Sequence, residues 1–409
     1  MQAQQLLERQ IEHTKFSADG SGIPIATPAP SLQFSSFFDT SSLHAGPVRP
    51  IHEYESHLWH LASILFDELP PDVPQTTNPQ RHRKRQLSSF FTDLVSRSVW
   101  NDTSKTRDPA ERIFLNLTGY RLGDACAEAM KSKDLHLATL ISLADASPES
   151  FRRDLARQIE VWAKDDSARD IQVWYRAIYE VLAGQIDGVV TKGHGISALA
   201  QLRIGKRVDW RRAFAMRLWF GIPADGEIKD AVSEYWMACQ QDPSMPKPLP
   251  WYSMQSAPSG IYDGLFQLLR LYSGTGLNRT LDFALNPYNF SSAITDVRIP
   301  WHLHLILSQL KGEASFADSF GGKGKVISDT GERLTLSYIN QLENLGLWQW
   351  SIFVALHLWR ENARKGVIMD ILARNISSIT NETEDKALIS KLVDQWKIPA
   401  EWILEAKVS

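Results

Sequence analysis

Residues 120–184 read YRLGDACAEAMKSKDLHLATLISLADASPESFRRDLARQIEVWAKDDSARDIQVWYRAIYEVLAG, and this stretch decides the fold. Leu122, Ala125, Cys126 and Ala129 fall at i, i+3, i+4 and i+7. Leu137, Leu140, Ile141 and Ala144 repeat that spacing. Phe151, Leu155, Ile159 and Trp162 line a third stripe; Ile171, Trp174, Tyr175, Ile178 and Leu182 line a fourth. Each pattern predicts an amphipathic helix whose stripe must be buried against another element. The connections suit only antiparallel neighbours, so the stretch is expected to be a stack of helical hairpins. Ser147-Pro148-Glu149 predicts a helix start with Ser as N-cap and Pro at the first helical position. Gly184 is placed to end the fourth helix in a left-handed cap.

The bulk composition agrees with a helical scaffold and narrows the function classes. The 409 residues hold enough apolar side chains, at 43%, for a sizeable core. Lysine and arginine total 44 against 47 acids, so the net charge of −3 gives no electrostatic case for nucleic acid. Two cysteines, Cys126 and Cys239, exclude a disulfide framework and favour a reducing compartment. The polar start, Met1 to Lys15, is not a secretory signal, and no apolar run approaches the ~20 residues of a membrane span. The six Asn-x-Ser/Thr triplets, at Asn101, Asn116, Asn278, Asn289, Asn375 and Asn381, are therefore read as coincidental. Fourteen tryptophans are read mainly as large fillers between helices, with a few as interface anchors.

Outward from the opening stack, the same pattern continues. Residues 1–14 predict a short polar helix, and 17–50, rich in Ser, Gly, Pro and Thr, predict a linker or strap on which Leu32, Phe34, Phe37 and Phe38 can pack. Tyr54, Leu58, Leu61, Leu65 and Leu69 stripe a helix stopped by Pro70-Pro71. The basic run Arg81 to Arg85 reads as a solvated helix start or as an import signal, and residues 101–111 as a polar break. Gly188 to Gly195 predict a turn. Asp209 is expected to cap a helix from Trp210 to Phe220, and Ile228, Val232, Tyr235, Trp236 and Cys239 stripe the next. Five prolines in 241–260 mark a loop and a candidate seam. Helices are expected at 261–272, 281–285 and 301–310, and a mobile loop at 311–331. Residues 334–345 and 347–359 predict a hairpin turned at Gly346; 367–372 and 387–396 predict another, and 398–406 a last helix. No segment alternates at period two. The fold class expected is all-α: roughly seventeen helices in an irregular solenoid without a fixed repeat length.

Catalytic chemistry is not visible. Gly321-Gly322-Lys323-Gly324-Lys325 lacks the spacing of a phosphate-binding loop. His302 and His304, two apart on a helix, point to different sides and suit one packed and one exposed histidine better than a metal pair. Asp124 and Glu128 form an ordinary solvated acidic pair. No enzyme, cofactor, catalytic residue or metal site is expected. A vesicle-coat or tethering scaffold on endomembranes is the alternative function.

Six segments in order resemble the nucleoporin 96 family, called the nucleoporin 145 C-terminal product in fungi. They are Tyr54 to Trp59 with Leu65-Phe66-Asp67; Asp134 to Ser142 followed by Trp174 to Gly184; Asp296 to His304; Gln341 to Trp348; Ile352 to Leu358; and Ile398 to Lys407. The resemblance implies a helical domain of the ancestral coatomer element type that folds back on itself. Its parts would be an N-terminal helix and strap (1–50), a first trunk part (51–110), a crown (111–240), and a returning trunk with the start of a tail (241–409). The family's tail continues past 398–407, so the tail is expected to be truncated; the family's upstream self-cleaving domain is also not in this sequence. The implied role is a structural subunit of the Y-shaped coat of the nuclear pore complex at the nuclear envelope, supporting protein and mRNA transport without catalysis.

The resemblance also implies partners. The crown would meet nucleoporin 84 (vertebrate nucleoporin 107), and the tail the hub of nucleoporins 120 (vertebrate 160) and 85. Strands ahead of the helices would complete a Sec-thirteen-type β-propeller, but no three such strands are evident in residues 1–50. Nucleic acid and direct membrane insertion are not expected. Leu135, Leu137, Leu140, Ile141, Trp174, Ile178, Tyr179, Val181 and Leu182 are the candidates for the crown interface. Tyr179 and Val181, outside the main stripe of their helix, illustrate an apolar surplus there. Trp396, Trp402 and Ile403 are the candidates for the tail.

Overall fold

The computed structural model describes residues 2–42, 50–74, 76–145, 148–165, 167–186, 197–204, 208–243, 245–253, 260–275, 283–309, 329–375 and 383–408. Helix α1 (Gln2–Glu12) is followed by strands β1 (Thr14–Ala18) and β2 (Pro24–Pro28), then α2 (Ser35–Ser42) and α3 (Pro50–Phe66). Next come α4 (Pro79–Lys105), α5 (Pro109–Leu117), α6 (Leu122–Lys131), α7 (Leu135–Leu143), α8 (Glu149–Lys164) and α9 (Val173–Leu182). Then follow α10 (Ala198–Ile204), α11 (Trp210–Met216) running into a π-helical turn at Arg217–Gly221, α12 (Ile228–Gln241) and α13 (Gly264–Ser273). The chain closes with α14 (Arg298–Leu307), α15 (Asp329–Asn344), α16 (Trp348–Ala355), α17 (Glu361–Asn375), α18 (Thr383–Ser390) with a π-helical turn at Lys391–Gln395, and α19 (Ala400–Val408). Among the described residues the fold is all-α apart from one small hairpin. The expected turn at 188–195, the Gly321 to Lys325 motif, Ser147 and most of the 311–331 loop lie outside the described residues.

Two compact units divide the chain: residues 1–67, 250–267 and 278–409 form one, and 68–249 with 268–277 the other. In the first unit the N-terminal segment departs from expectation. Residues 17–50 are not a linker throughout: β1 and β2 pair antiparallel, with Lys15 opposite Thr27 and Ser17 opposite Ile25. Five-residue strands are too short to show a period-two signal, and long-range contacts hold them instead. The amide of Ala26 donates to the carbonyl of Leu356 at 3.0 Å. The Arg364 guanidinium, fully buried, pairs with Asp19 at the hairpin tip, and Ser21 Oγ donates to Glu361 at 2.7 Å. The Phe16 ring lies against Phe353 and Trp396. Helix α2 starts where both oxygens of Asp67 accept the amides of Phe34 and Ser35, each at 2.8 Å, a side-chain cap supplied from 32 residues away. Leu32, Phe34 and Phe37 are buried, as expected, and Phe38 packs on His60.

A buried ion network fixes α3 against α14. Arg298 donates to Glu55 at 3.1 Å and to Asp296 at 2.8 Å, and Asp296 also accepts from Gln341. Burial pushes Glu55 up and Arg298 offsets this only in part. For Asp296 burial also acts upward, but the hydrogen bonds and charge of Arg298 hold it below its ordinary value. Tyr54 donates to Asp263 at 2.9 Å and accepts the amide of Gly264, where any Cβ would collide with the Phe290 ring at 2.6 Å. The expected hairpin at Gly346 forms between α15 and α16 with a φ of +73°, but α16 ends at Ala355, four residues short of Trp359.

In the second unit sequential helices are packing neighbours: α5 on α6, α6 on α7, α8 on α9, with α5 also against α9. The polar break expected at 101–111 is narrower, because α4 runs on to Lys105 and α5 restarts at Pro109 with Asp108 as its cap. Ile113, Phe114 and Leu117 give α5 a buried face inside what begins as a polar stretch. The basic run lies in the first turns of α4. Its Lys84 Nζ donates to the carbonyls of Pro223, Ala224 and Gly226 at 3.2, 3.2 and 2.7 Å, so this lysine anchors a loop. Burial, then the nearby Arg152, depress its pKa. Arg152 itself donates to the carbonyl of Ile222 at 3.0 Å. Asp209 caps α11 as expected, accepting the Arg212 amide at 3.0 Å.

Candidate interaction surface

Helices α6 to α9 carry the residues singled out for the crown contact. Their packing follows from the turns that aim them. Tyr120, at φ +55°, reverses the chain between α5 and α6, and its ring stacks on Trp219. Lys133, at φ +62°, makes the next reversal, and Asp134 caps α7 by accepting the Leu137 amide at 2.9 Å. Helix α8 starts at Glu149 with Pro148 as N-cap, one residue later than the sequence suggests. After α9 the chain turns at Gly184, with the expected positive φ of +76°. Glu180, buried in α9, accepts from Ser197 Oγ and the amides of Ala198 and Leu199 at 2.7–2.9 Å, and so caps α10.

These turns settle which face of α7 points inward. Leu137, Ala138 and Ile141 are buried in the chain's own core. Leu135 is 66% exposed, and Thr139, Ser142 and Leu143 are exposed with it; Leu140 is half-buried. Positions 135, 139, 142 and 143 stack on one side of a helix, so the outward face carries two leucines flanked by a threonine and a serine. Met130, at the end of α6, is also exposed. Sequence reasoning omitted Leu143 and Met130. The signal was available, because the stripe at Leu137, Leu140, Ile141 and Ala144 leaves Leu143 on the other side.

Helix α9 buries Ile178 and Leu182 of its expected stripe, and the buried face is shifted toward Ala177 and Val181. Ala177, Ile178, Val181 and Leu182 are buried, whereas Trp174 and Tyr175 are half-buried. Val181, assigned from sequence to an apolar surplus, has no exposure and belongs to the core. Tyr179 is half-buried, with its ring centroid 4.7 Å from that of Trp162, and Trp174 meets Phe114 at 5.5 Å. Burial, then the charge of Asp134, push the Tyr175 and Tyr179 hydroxyls up. The structure thus gathers nine candidate residues into one group of helices but turns five of them, Leu137, Ile141, Ile178, Val181 and Leu182, into the chain's own packing.

The tail candidates show the same division. Trp396, Trp402 and Ile403 are buried within the first unit. Trp396 packs on Phe353 and Trp350, with the Lys391 ammonium 4.7 Å from the Trp350 ring centre. Leu404, one residue beyond, is 63% exposed. Of the two histidines weighed for a metal, His302 is buried and His304 half-buried. Among the described residues no group of three or more His, Cys, Asp or Glu is placed to hold a metal ion. Also among these residues, no helix is long and apolar enough to cross a membrane. Asn289, one of the Asn-x-Ser/Thr positions, is buried and spends its side chain on the carbonyls of Phe283 and Ala284 and the amide of Tyr262.

What the geometry offers is an exposed face of α7 carrying Leu135 and Leu143 beside Thr139 and Ser142. Fold and surface together define, among the described residues, an all-α protein whose sequential helices pack as neighbours and leave apolar side chains such as Leu135, Leu143 and Leu404 exposed. The nuclear protein 96 family (Nup96) matches residues 111–409, and this chain belongs to that family. Nucleoporin nup189 of Schizosaccharomyces pombe is 30% identical over 418 residues, covering 98% of this chain and 22% of the yeast protein. The nuclear pore complex protein Nup98-Nup96 of Drosophila melanogaster is 26% identical over 403 residues, covering 96% of this chain and 19% of its own length. Nucleoporin NUP145 of Saccharomyces cerevisiae is 24% identical over 411 residues, 98% of this chain and 27% of its own. The chain thus spans about a fifth to a quarter of the length of these curated relatives.

Proposed function

We propose that this chain is a structural scaffold subunit of the nuclear pore complex, located at the nuclear envelope and working through protein interfaces rather than catalysis. The observation that carries this reading is the family match over residues 111–409, together with relatives named as nuclear pore complex proteins. Within that assembly the chain would belong to the Y-shaped coat and support transport of protein and mRNA. Residues 111–240 would act as crown, with 51–110 and 241–409 as trunk and start of tail, in a helical path that folds back on itself. The crown would pair with nucleoporin 84 or its vertebrate counterpart 107, and the tail with the hub of nucleoporins 120 and 85.

The exposed face of α7 sharpens the crown proposal. Leu135, Leu140 and Leu143, with Met130, would form the contact, framed by Thr139 and Ser142. Leu137, Ile141, Ile178, Val181 and Leu182 would support that face from beneath, while Trp174 and Tyr179 would border it. Fully covering an exposed leucine contributes about 1–2 kcal/mol, so the two outward leucines would add a useful fraction of a docking energy. At the tail, Leu404 would make the contact and Trp396, Trp402 and Ile403 would hold its helix in place. The experiment is to tag the full-length protein at its chromosomal locus, image it, and identify what purifies with it. Expected are a nuclear-rim signal and recovery of coat nucleoporins; cytoplasmic puncta with vesicle-coat subunits would overturn the reading.

A further inference from the structure

Three polar side chains of the first unit pack around Trp301, and a fourth, Gln10, reaches one of them, His302. Gln10 comes from α1, His302 from α14, Tyr338 from α15, and His357 from just past α16. The Trp301 ring centre lies 4.8 Å from that of His302, 5.2 Å from Tyr338 and 5.3 Å from His357. His302 Nδ1 is 3.3 Å from Gln10 Oε1, and His357 Nδ1 is 3.0 Å from the carbonyl of Phe353. Both of these oxygens only accept, so each Nδ1 carries a proton and each Nε2 presents a bare lone pair. Gln10, His302 and Tyr338 are fully buried; His357 keeps a partly exposed edge, but its Nε2 is sealed. Among the described residues, no protein group bonds either Nε2, the Gln10 amide nitrogen or the Tyr338 hydroxyl.

A buried polar atom left without a partner is destabilising. The set is complementary to one kind of ligand. Gln10 and Tyr338 offer hydrogens; the two imidazoles offer lone pairs. A water molecule accepts two hydrogen bonds and donates two, and buried waters commonly sit among three such groups. A metal suits the set less well, since it would find two imidazoles and neither carboxylate nor thiolate.

We propose that this cluster is a built site for structural water, one or two molecules linking Gln10, His302, Tyr338 and His357. Through it the N-terminal helix, whose Leu6 and Leu7 are buried, is bonded to α14, α15 and the end of α16. The direct test is a crystal structure of the unmodified chain that orders solvent. Expected is a solvent atom about 2.6–3.2 Å from at least two of the four unpaired atoms. A dry cluster, direct pairing among the four side chains, or a stoichiometric metal by elemental analysis would overturn the proposal. A second readout is the 15N spectrum of the chain labelled at histidine. Tyr338→Phe is expected to move an Nε2 resonance of His302 or His357 while both Nδ1 resonances stay in place. Unmoved Nε2 resonances in a folded Tyr338→Phe variant would also overturn it.

Discussion

Truncating Val181 and Leu135 to alanine separates support from surface within one group of helices. Val181 is wholly buried in α9. Val181→Ala removes two methyl groups at about 0.8 kcal/mol each, and the cavity left in a close-packed core adds to that. The expected loss is about 2–3 kcal/mol. Leu135, on the outward face of α7, is 66% exposed. Leu135→Ala should change stability by no more than about 0.5 kcal/mol, as surface substitutions generally do. Urea titration of the chain, followed by far-ultraviolet circular dichroism, reads both. Val181→Ala should lower the midpoint without changing the slope, and Leu135→Ala should leave the midpoint in place. Equal losses for the two variants, or a larger loss for Leu135→Ala, would refute the assignment of inner and outer faces.

Three further perturbations test other parts of the structure. Asp67→Ala removes the acceptor for the Phe34 and Ser35 amides and should cost about 1–2 kcal/mol, with hydrogen exchange faster at those two amides. Gly184→Ala forces a Cβ to within 2.8 Å of the Phe220 carbonyl oxygen at a φ of +76°; the conformation alone should cost about 1 kcal/mol and the collision more, read as a lowered melting temperature. Burial depresses the His357 pKa from 6.5 to about 4, so between these values the unfolded chain binds the extra proton. Its contribution is therefore whole above pH 6.5 and lost as pH falls, reaching about 3 kcal/mol near pH 4, with buried His302 acting in the same direction. Urea midpoints measured from pH 7 to 5 should fall less steeply in His357→Gln than in the unaltered chain.

What was legible in the sequence was local. The four stripes of residues 120–184 predict α6 to α9, and Asp209, Gly184 and Gly346 mark helix ends because capping chemistry depends on adjacent backbone. What was not legible depends on distant partners. The β1–β2 hairpin is held by Leu356, Glu361 and Arg364, more than 300 residues away. Helix α5 was hidden because its cap, Asp108, and Pro109 sit in a polar stretch that reads as a break. The inward face of α9 was legible at Ile178 and Leu182 but not at Ala177 and Val181, because Ile171 and Trp174 extend a plausible stripe that packing leaves half-buried. Periodicity locates an apolar face, but it cannot say whether the covering surface belongs to the same chain. The two leucines on the far side of α7 are among the exposed apolar side chains whose exposure only the structure shows.

The crown part of the scaffold proposal depends most directly on that outward face. The deciding measurement is recovery of neighbouring coat nucleoporins with the tagged full-length protein carrying Leu135→Glu and Leu143→Glu, against the unaltered protein at equal abundance. The substitutions lie on an exposed surface and should leave the fold intact. Loss of the crown partner with retained tail partners is the expected result. Unchanged recovery of every coat nucleoporin by the folded variant would contradict the assignment of this face to assembly.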